Sequence, residues 1–405
     1  MKNLLLFLSF VLIFASCNSG ALSSDSKKQE PSEQEWIFHN NSSLSWKDHP
    51  VIIQKDKFQL LDKHPYFKFV DEKRKEIPFQ LDDLNGDGNW DEAFLLLNAE
   101  PKSKRIITAI FVDEPSKTKF KQRANVRFGK KKPPYQEIQS APRRKKNDEV
   151  TAANLFQMEG PAWENDKVAF RNYYDARNGI DIFGKQVSEM VLDSVGIEGT
   201  NYHELADWGM DILKVGNSLG AGSIALKRDG KVYRIDEADH CDYKLISDGP
   251  LRAIFNLTFE NFKIGEHSYF ITHQISIWGG AQFYQSSVTI DGIQGDEQLV
   301  TGIVNLHSHA LHEEKFNKHV LLATHDKQAE NGAMLGMGLM IPENIYLGHE
   351  EAPEKGDGIV SSYMALMKIE NKKPVTFFFY TGWENQDSGF KDMDYFLNVM
   401  KRDIR

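Results

Sequence analysis

Residues 251–290 read LRAIFNLTFENFKIGEHSYFITHQISIWGGAQFYQSSVTI. Three runs within this stretch, Leu251–Phe259, Tyr269–Trp278 and Phe283–Ile290, are rich in Ile, Phe, Tyr, Val and Thr, the residues that favour strands. Side chains alternate across a strand, so runs of this kind lay one face on a core. Similar runs recur at Lys231–Ile235, Leu299–Leu306 and Val375–Tyr380. Helical periodicity is nearly absent; Asp392–Met400 is the best case. No repeat of 20 to 50 residues is visible. An all-β fold follows, with residues 151–401 expected to form a large antiparallel β-sandwich.

Working outward, residues 36–120 contain short apolar runs (Val51–Ile53, Phe58–Leu61, Tyr66–Val70, Phe94–Leu97, Ile106–Val112) separated by Asp, Lys, Pro and Gly. They are expected to form a small N-terminal β module. Between the two, residues 121–150 read as a basic connecting segment with Pro133–Pro134 and Pro142. Lys117–Lys146 holds twelve Lys or Arg against one Glu. A solvated linker and a polyanion contact both fit that pattern.

At the start, Lys2 precedes an apolar run from Leu4 to Phe14, followed by Ala15-Ser16-Cys17. Residues 1–17 are expected to be a bacterial lipoprotein signal peptide that leaves Cys17 as the lipidated residue. Residues 18–35 would be a flexible tether, with the protein anchored to the outer membrane on either its periplasmic or its cell-surface side. A plain signal peptide is the alternative. Cys241 is the only other cysteine, so stability must come from core burial rather than disulfides. The net charge of -9 argues against a nucleic-acid role. Nothing in the sequence speaks to the oligomeric state.

The densest mixture of Arg, Tyr, Asp, Glu, His and Trp with Gly lies between Gly160 and Gly222. Val168–Arg177 has strand character, which would put Arg171, Tyr173, Asp175 and Arg177 on one face. That row lines a cleft for an anionic, hydroxyl-rich ligand, or it is a solvated face with cross-strand ion pairs. His203, Asp207 and Asp211 recur every four residues, yet Trp208 and Gly209 favour an irregular loop. Such a loop offers His203 as an acid or base and Trp208 as a sugar-stacking platform, or it is a capped turn. His307 and His309 would share a strand face, and His273 sits mid-strand, where a satisfied half-buried His is the ordinary outcome. Asp83, Asn85, Asp87, Asn89 and Asp91 place oxygens at alternate positions of a Gly-bearing turn, as a calcium loop does. The twelfth position is Phe94 rather than Glu, so a structural calcium or a metal-free Asx-rich turn both fit.

WENDKVAFRNYYDARNGIDIFGK, followed by YHELADWGMDILKVGNSLGAGSIAL, resembles the DUF4861 family, as does QLDDLNGDGNWDEAFLL upstream. The resemblance covers residues 36 to 400. It implies a carbohydrate-active supersandwich of the galactose-mutarotase type, in a family found mostly among Bacteroidetes genes for degrading uronate polysaccharides. It also implies a dehydratase that removes water from the non-reducing-end uronic acid of ulvan-type oligosaccharides, leaving a 4,5-unsaturated uronyl residue. No cofactor is needed for that chemistry. For this elimination Arg171 and Arg177 suit a carboxylate clamp, and Tyr173 and His203 an acid–base pair. Asp175 or Glu164 would orient one of them. Trp163 and Trp208 would stack on sugar faces, and Asp211, Lys214 and His273 would contact substrate. Alternatives are a polysaccharide lyase, a glycoside hydrolase using Glu164 and Asp211, and a non-catalytic glycan-binding lipoprotein.

Overall fold

The computed structural model describes residues 32–308 and 310–402. The lipidation residue Cys17, the signal peptide, most of the tether and His309 lie outside the described residues. The chain divides into two compact units, one running to Lys121 and the other from Gln122. Among the described residues no helix is long and apolar enough to cross a membrane.

The first unit contains β1 (Glu33–Asn40), β2 (Trp46–Gln54), β3 (Tyr66–Val70), β4 (Glu76–Ile77), β5 (Phe79–Asp82), β6 (Glu92–Ala99) and β7 (Ser103–Val112). Two antiparallel sheets form, ordered β1-β7-β3-β4 and β2-β6-β5. Their apolar faces meet in one core that includes Trp36, Phe58, Phe67, Phe69, Leu95 and Ile107. The period-two alternation seen in the sequence is what lets each strand give one face to that core.

In the second unit the strands are β8 (Ala124–Arg127), β9 (Ser140–Pro142), β10 (Ala162–Asn165), β11 (Ala169–Asn172), β12 (Ile180–Lys185), β13 (Gly209–Asp211), β14 (Ala221–Arg228), β15 (Lys231–Arg234), β16 (His240–Asp248), β17 (Arg252–Ile264), β18 (His267–Trp278) and β19 (Phe283–Asp291). They continue as β20 (Gln298–Val304), β21 (His312–Phe316), β22 (His319–Asp326), β23 (Leu335–Pro342), β24 (Tyr346–Glu351), β25 (Ser362–Lys368) and β26 (Val375–Trp383). A nine-stranded sheet runs β21-β22-β23-β26-β19-β18-β17-β16-β9. Two five-stranded sheets run β15-β14-β20-β25-β24 and β13-β12-β11-β10-β8. One apolar cluster joins all three, with Phe255, Ile271 and Phe377 from the first, Leu226, Leu299 and Met367 from the second, and Trp163, Phe170 and Ile182 from the third. The large antiparallel all-β architecture expected from residues 251–290 is therefore present.

The short α1 (Ala152–Leu155) and the C-terminal α2 (Met393–Arg402) are the α-helices among the described residues. α2 falls where the helical period was strongest. It packs Phe396 and Met400 onto β23 at Gly336 and Gly338, where an added Cβ would come within 2.7 Å of either side chain.

Residues 121–150 are not a linker. β8 pairs with β10 and β9 pairs with β16, so the segment is woven into the second unit. Some of its basic residues find partners inside that unit: Arg143 is buried and donates to Tyr173 O, Asp175 O and Asn172 Oδ1.

Candidate functional site

β10, β11, β12 and β13 form the ladder that builds the site. Arg171 on β11 lies opposite Asp181 on β12, and Phe183 on β12 lies opposite Asp211 on β13. β13 can approach β12 this closely because Gly209 has φ of 133° and no side chain. A Cβ there would sit 1.7 Å from Gly184 O. Three adjacent strands thus bring one guanidinium and two carboxyl groups together.

Arg171 is fully buried. Its Nη2 donates to Asp181 Oδ2 at 2.5 Å and to Asp211 Oδ2 at 3.3 Å, and its Nη1 donates to Met158 O at 2.7 Å. The guanidinium carbon lies 3.8 Å from the Tyr173 ring centroid, and the Tyr173 hydroxyl donates to Asp181 Oδ2 at 3.0 Å. Burial opposes the charge on Arg171, but the Asp181 carboxylate outweighs it and holds the group more firmly protonated than usual. Burial, reinforced by Asp181, raises the Tyr173 hydroxyl well above its ordinary range. Asp211 is also raised, first by burial and then by repulsion from Asp181, with Arg171 opposing.

Strand alternation ends at Asn172, and Tyr173–Asn178 is a turn closed by Asn178 N donating to Asp175 O at 3.1 Å. The expected Val168–Arg177 strand face is therefore half strand and half turn. Arg177 still reaches the cluster, stacking on Tyr173 at 3.7 Å. It pairs with Asp175 at 2.6 Å and Glu159 at 2.7 Å. Burial raises the Asp175 carboxyl, but the hydrogen bonds from Arg177 outweigh it and bring it below its ordinary value. Neither arginine is thus a free carboxylate clamp: Arg171 is sealed off and Arg177 is neutralised by two acids.

His203 is the solvent-facing member, with a side chain 63% exposed. Its Nδ1 lies 3.5 Å from Asp211 Oδ2, whose own side chain is only 5% exposed. Its ring packs against Tyr202 with centroids 4.4 Å apart and planes tilted by 43°. Tyr202 rests on Phe183, and burial raises its hydroxyl above the usual range. A largely buried carboxyl thus lies within ion-pair distance behind an exposed imidazole.

Tyr202 and Glu159 also line a cavity of about 310 Å³, together with Lys131, Met158, Glu198 and Thr200. Met158 and Glu159 both adopt left-handed backbone, with φ of 53° and 63°. Two consecutive non-glycine residues in that region are costly, and such strain concentrates at functional sites.

The ladder therefore brings together Arg171, Tyr173, Asp175, Arg177, His203 and Asp211. The remaining expected contacts fall elsewhere. Trp163 is fully buried against Phe170, Phe255 and Tyr284, so it is a core residue and no sugar platform. Glu164 is sealed in an ion pair with Lys185 at 2.5 Å and accepts from Val191 N and Leu192 N. Trp208 is half-buried, edge-on to Phe183. Lys214 is exposed and makes no ion pair among the described residues. His273 is inside the sandwich, bonded to Ser286, and burial pulls its pKa down to about 3, so it is a neutral core histidine out of reach of substrate. His307 lies in a bend beyond the end of β20, not on a strand. Glu159, Asp181, Tyr202 and Lys131 were missed. Only Tyr202, adjacent to His203, carried a local signal.

In the first unit, the Asp83–Asp91 loop turns its oxygens onto its own backbone. Asp83 accepts from the N–H groups of Gly86, Asp87 and Gly88, Asp87 from Asn89 N, and Asp91 from Leu84 N. Asn85 Oδ1 accepts from Asp87 N. Among the described residues no three His, Cys, Asp or Glu side chains converge as a metal cage.

The family model for a domain of unknown function, DUF4861, matches residues 38–404. The chain belongs to the DUF4861 family. The matched region extends over parts of both units. A protein of Formosa agariphila described as uncharacterized protein P7 is 30% identical over 148 residues, 32% of this chain and 37% of that one. The match therefore spans well under half the length of that relative. An α-mannosidase from Enterococcus faecalis V583 superposes with a TM-score of 0.50 at 10% identity, over 92% of this chain and 45% of that one. A glycosyl hydrolase family 38 protein from Enterococcus faecalis gives a TM-score of 0.48 at 8% identity, over 93% and 47%. The α-mannosidase likeness concerns the fold alone.

Proposed function

We propose that this protein is a carbohydrate-processing enzyme that eliminates water from the terminal uronic acid of polysaccharide-derived oligosaccharides. The observation that carries the reading is the exposed His203 backed by buried Asp211 at 3.5 Å, next in the chain to Tyr202, which lines a cavity. The uronate setting that the sequence resemblance implies and the fold shared with an α-mannosidase support a sugar substrate.

In the reaction, His203 takes the C5 proton. The C5–H electron pair becomes the C4–C5 double bond, and the C4–O bond breaks. Tyr202 lines the cavity, and its phenol is the proton source for the departing hydroxyl, which leaves as water. Tyr173 is less suited to that step, because its hydroxyl is already donated inward to Asp181. A hydrolase using Glu164 is disfavoured by the burial of that carboxylate against Lys185.

Mass spectrometry of uronate-terminated oligosaccharides before and after incubation tests this. Loss of one water with new absorbance from a conjugated double bond is expected. Gain of water identifies a hydrolase, and no change a binding protein. His203→Ala should lower turnover by about 10²- to 10⁴-fold with little change in melting temperature, since the side chain is exposed. Wild-type turnover in His203→Ala would move the chemistry to another site.

A further inference from the structure

We infer that the cavity beneath Tyr202 is a carboxylate-recognising pocket for one terminal sugar ring, with Lys131 as its cation. The inference rests on the elimination reading above, because that reaction needs the substrate carboxylate neutralised as charge builds on it. Neither Arg171 nor Arg177 is free to do this.

Lys131 lines the cavity. Its ammonium has three donors, and one goes to Ala153 O at 2.8 Å. No carboxylate pairs with it among the described residues. Its main chain is pinned by Lys131 N donating to Leu155 O at 3.0 Å, so the cation is held rather than dangling. Lys130 and Lys132 on either side in the chain are exposed.

The two acids lining the same cavity differ. Glu159 is already paired with Arg177. Glu198 is exposed on the facing 196–200 loop. That loop closes on the strained wall, where a Cβ on Gly196 would meet Met158 N at 2.9 Å. One cation with spare donors facing carboxylate acceptors suits a ring that bears one carboxylate and several hydroxyls. The volume of about 310 Å³ is at the small end of ligand pockets, roughly 300–1,000 Å³. It fits a chain end rather than a polymer threaded through.

Titration calorimetry with sodium D-glucuronate and with neutral D-glucose tests the pocket without reference to turnover. Wild type should bind glucuronate at least tenfold more tightly than glucose. Lys131→Met should erase that preference and Lys131→Arg should keep it, both with wild-type melting curves. Equal glucuronate affinity in wild type and Lys131→Met, or no glucuronate binding by wild type, overturns the inference. If Lys131-dependent binding is seen but no oligosaccharide loses water, the pocket stands and the dehydratase reading falls. If water is lost with unchanged KM in Lys131→Met, the dehydratase reading stands and the pocket assignment falls.

Discussion

Replacing Arg171 separates a substrate clamp from a buried support. In Arg171→Leu the Asp181 and Asp211 carboxylates, 0% and 5% exposed, lose the guanidinium that both contact. Removing one partner of a buried ion pair costs about 3–5 kcal/mol, because a buried charge is left uncompensated. In a domain of this size each kcal/mol lowers the melting temperature by about 2–4 °C, so a fall of roughly 6–20 °C is expected. The loss should depend on pH. Burial and Asp181 already raise the Asp211 carboxyl above its unfolded value, and removing Arg171 raises it further. A carboxyl with a raised folded pKa binds more protons in the folded state. Its stabilising contribution is present at low pH and is lost as pH rises through the folded value. The deficit of Arg171→Leu relative to wild type should therefore be smallest near about pH 5 and grow toward about pH 8. Circular dichroism melts across that range measure it, and adding Asp211→Asn should recover part of the loss. A variant that melts like wild type at every pH but loses turnover would refute the reasoning and return Arg171 to the role of clamp.

Two further outcomes concern regions away from the site. We propose that one structural calcium binds the Asp83–Asp91 loop; a chelator should then lower the melting temperature by mass action, and Asp87→Ala should abolish the response, whereas identical melts with and without chelator count against the ion. Cys17→Ser should move the protein from the membrane to the soluble fraction, and a variant that stays with the membrane removes the lipid anchor.

Alternation and punctuation are local, and they carried the architecture. The runs at Leu251–Phe259, Tyr269–Trp278 and Phe283–Ile290 became β17, β18 and β19, neighbours in one antiparallel sheet. The lone helical period at Asp392–Met400 became α2. The concentration of charge between Gly160 and Gly222 became a compact charge cluster, because β11 and β12 are joined by a short turn and bring Arg171 opposite Asp181. Depth was not legible. Alternation assigns a side chain to a face, but whether that face meets water depends on what covers it. Arg171 is covered by Met158, Asp181 and Asp211, which come from three other segments. The same holds for Trp163, whose indole could stack on a sugar or fill a core with equal chemistry. Phe255 and Tyr284, more than 90 residues away along the chain, make it core. Lys131 is the reverse case, one lysine in a basic run until the fold sets it beside Glu159 and Tyr202. Burial and long-range pairing depend on segments distant in the chain, so a local pattern can name the residues that carry charge but not the ones that face a ligand.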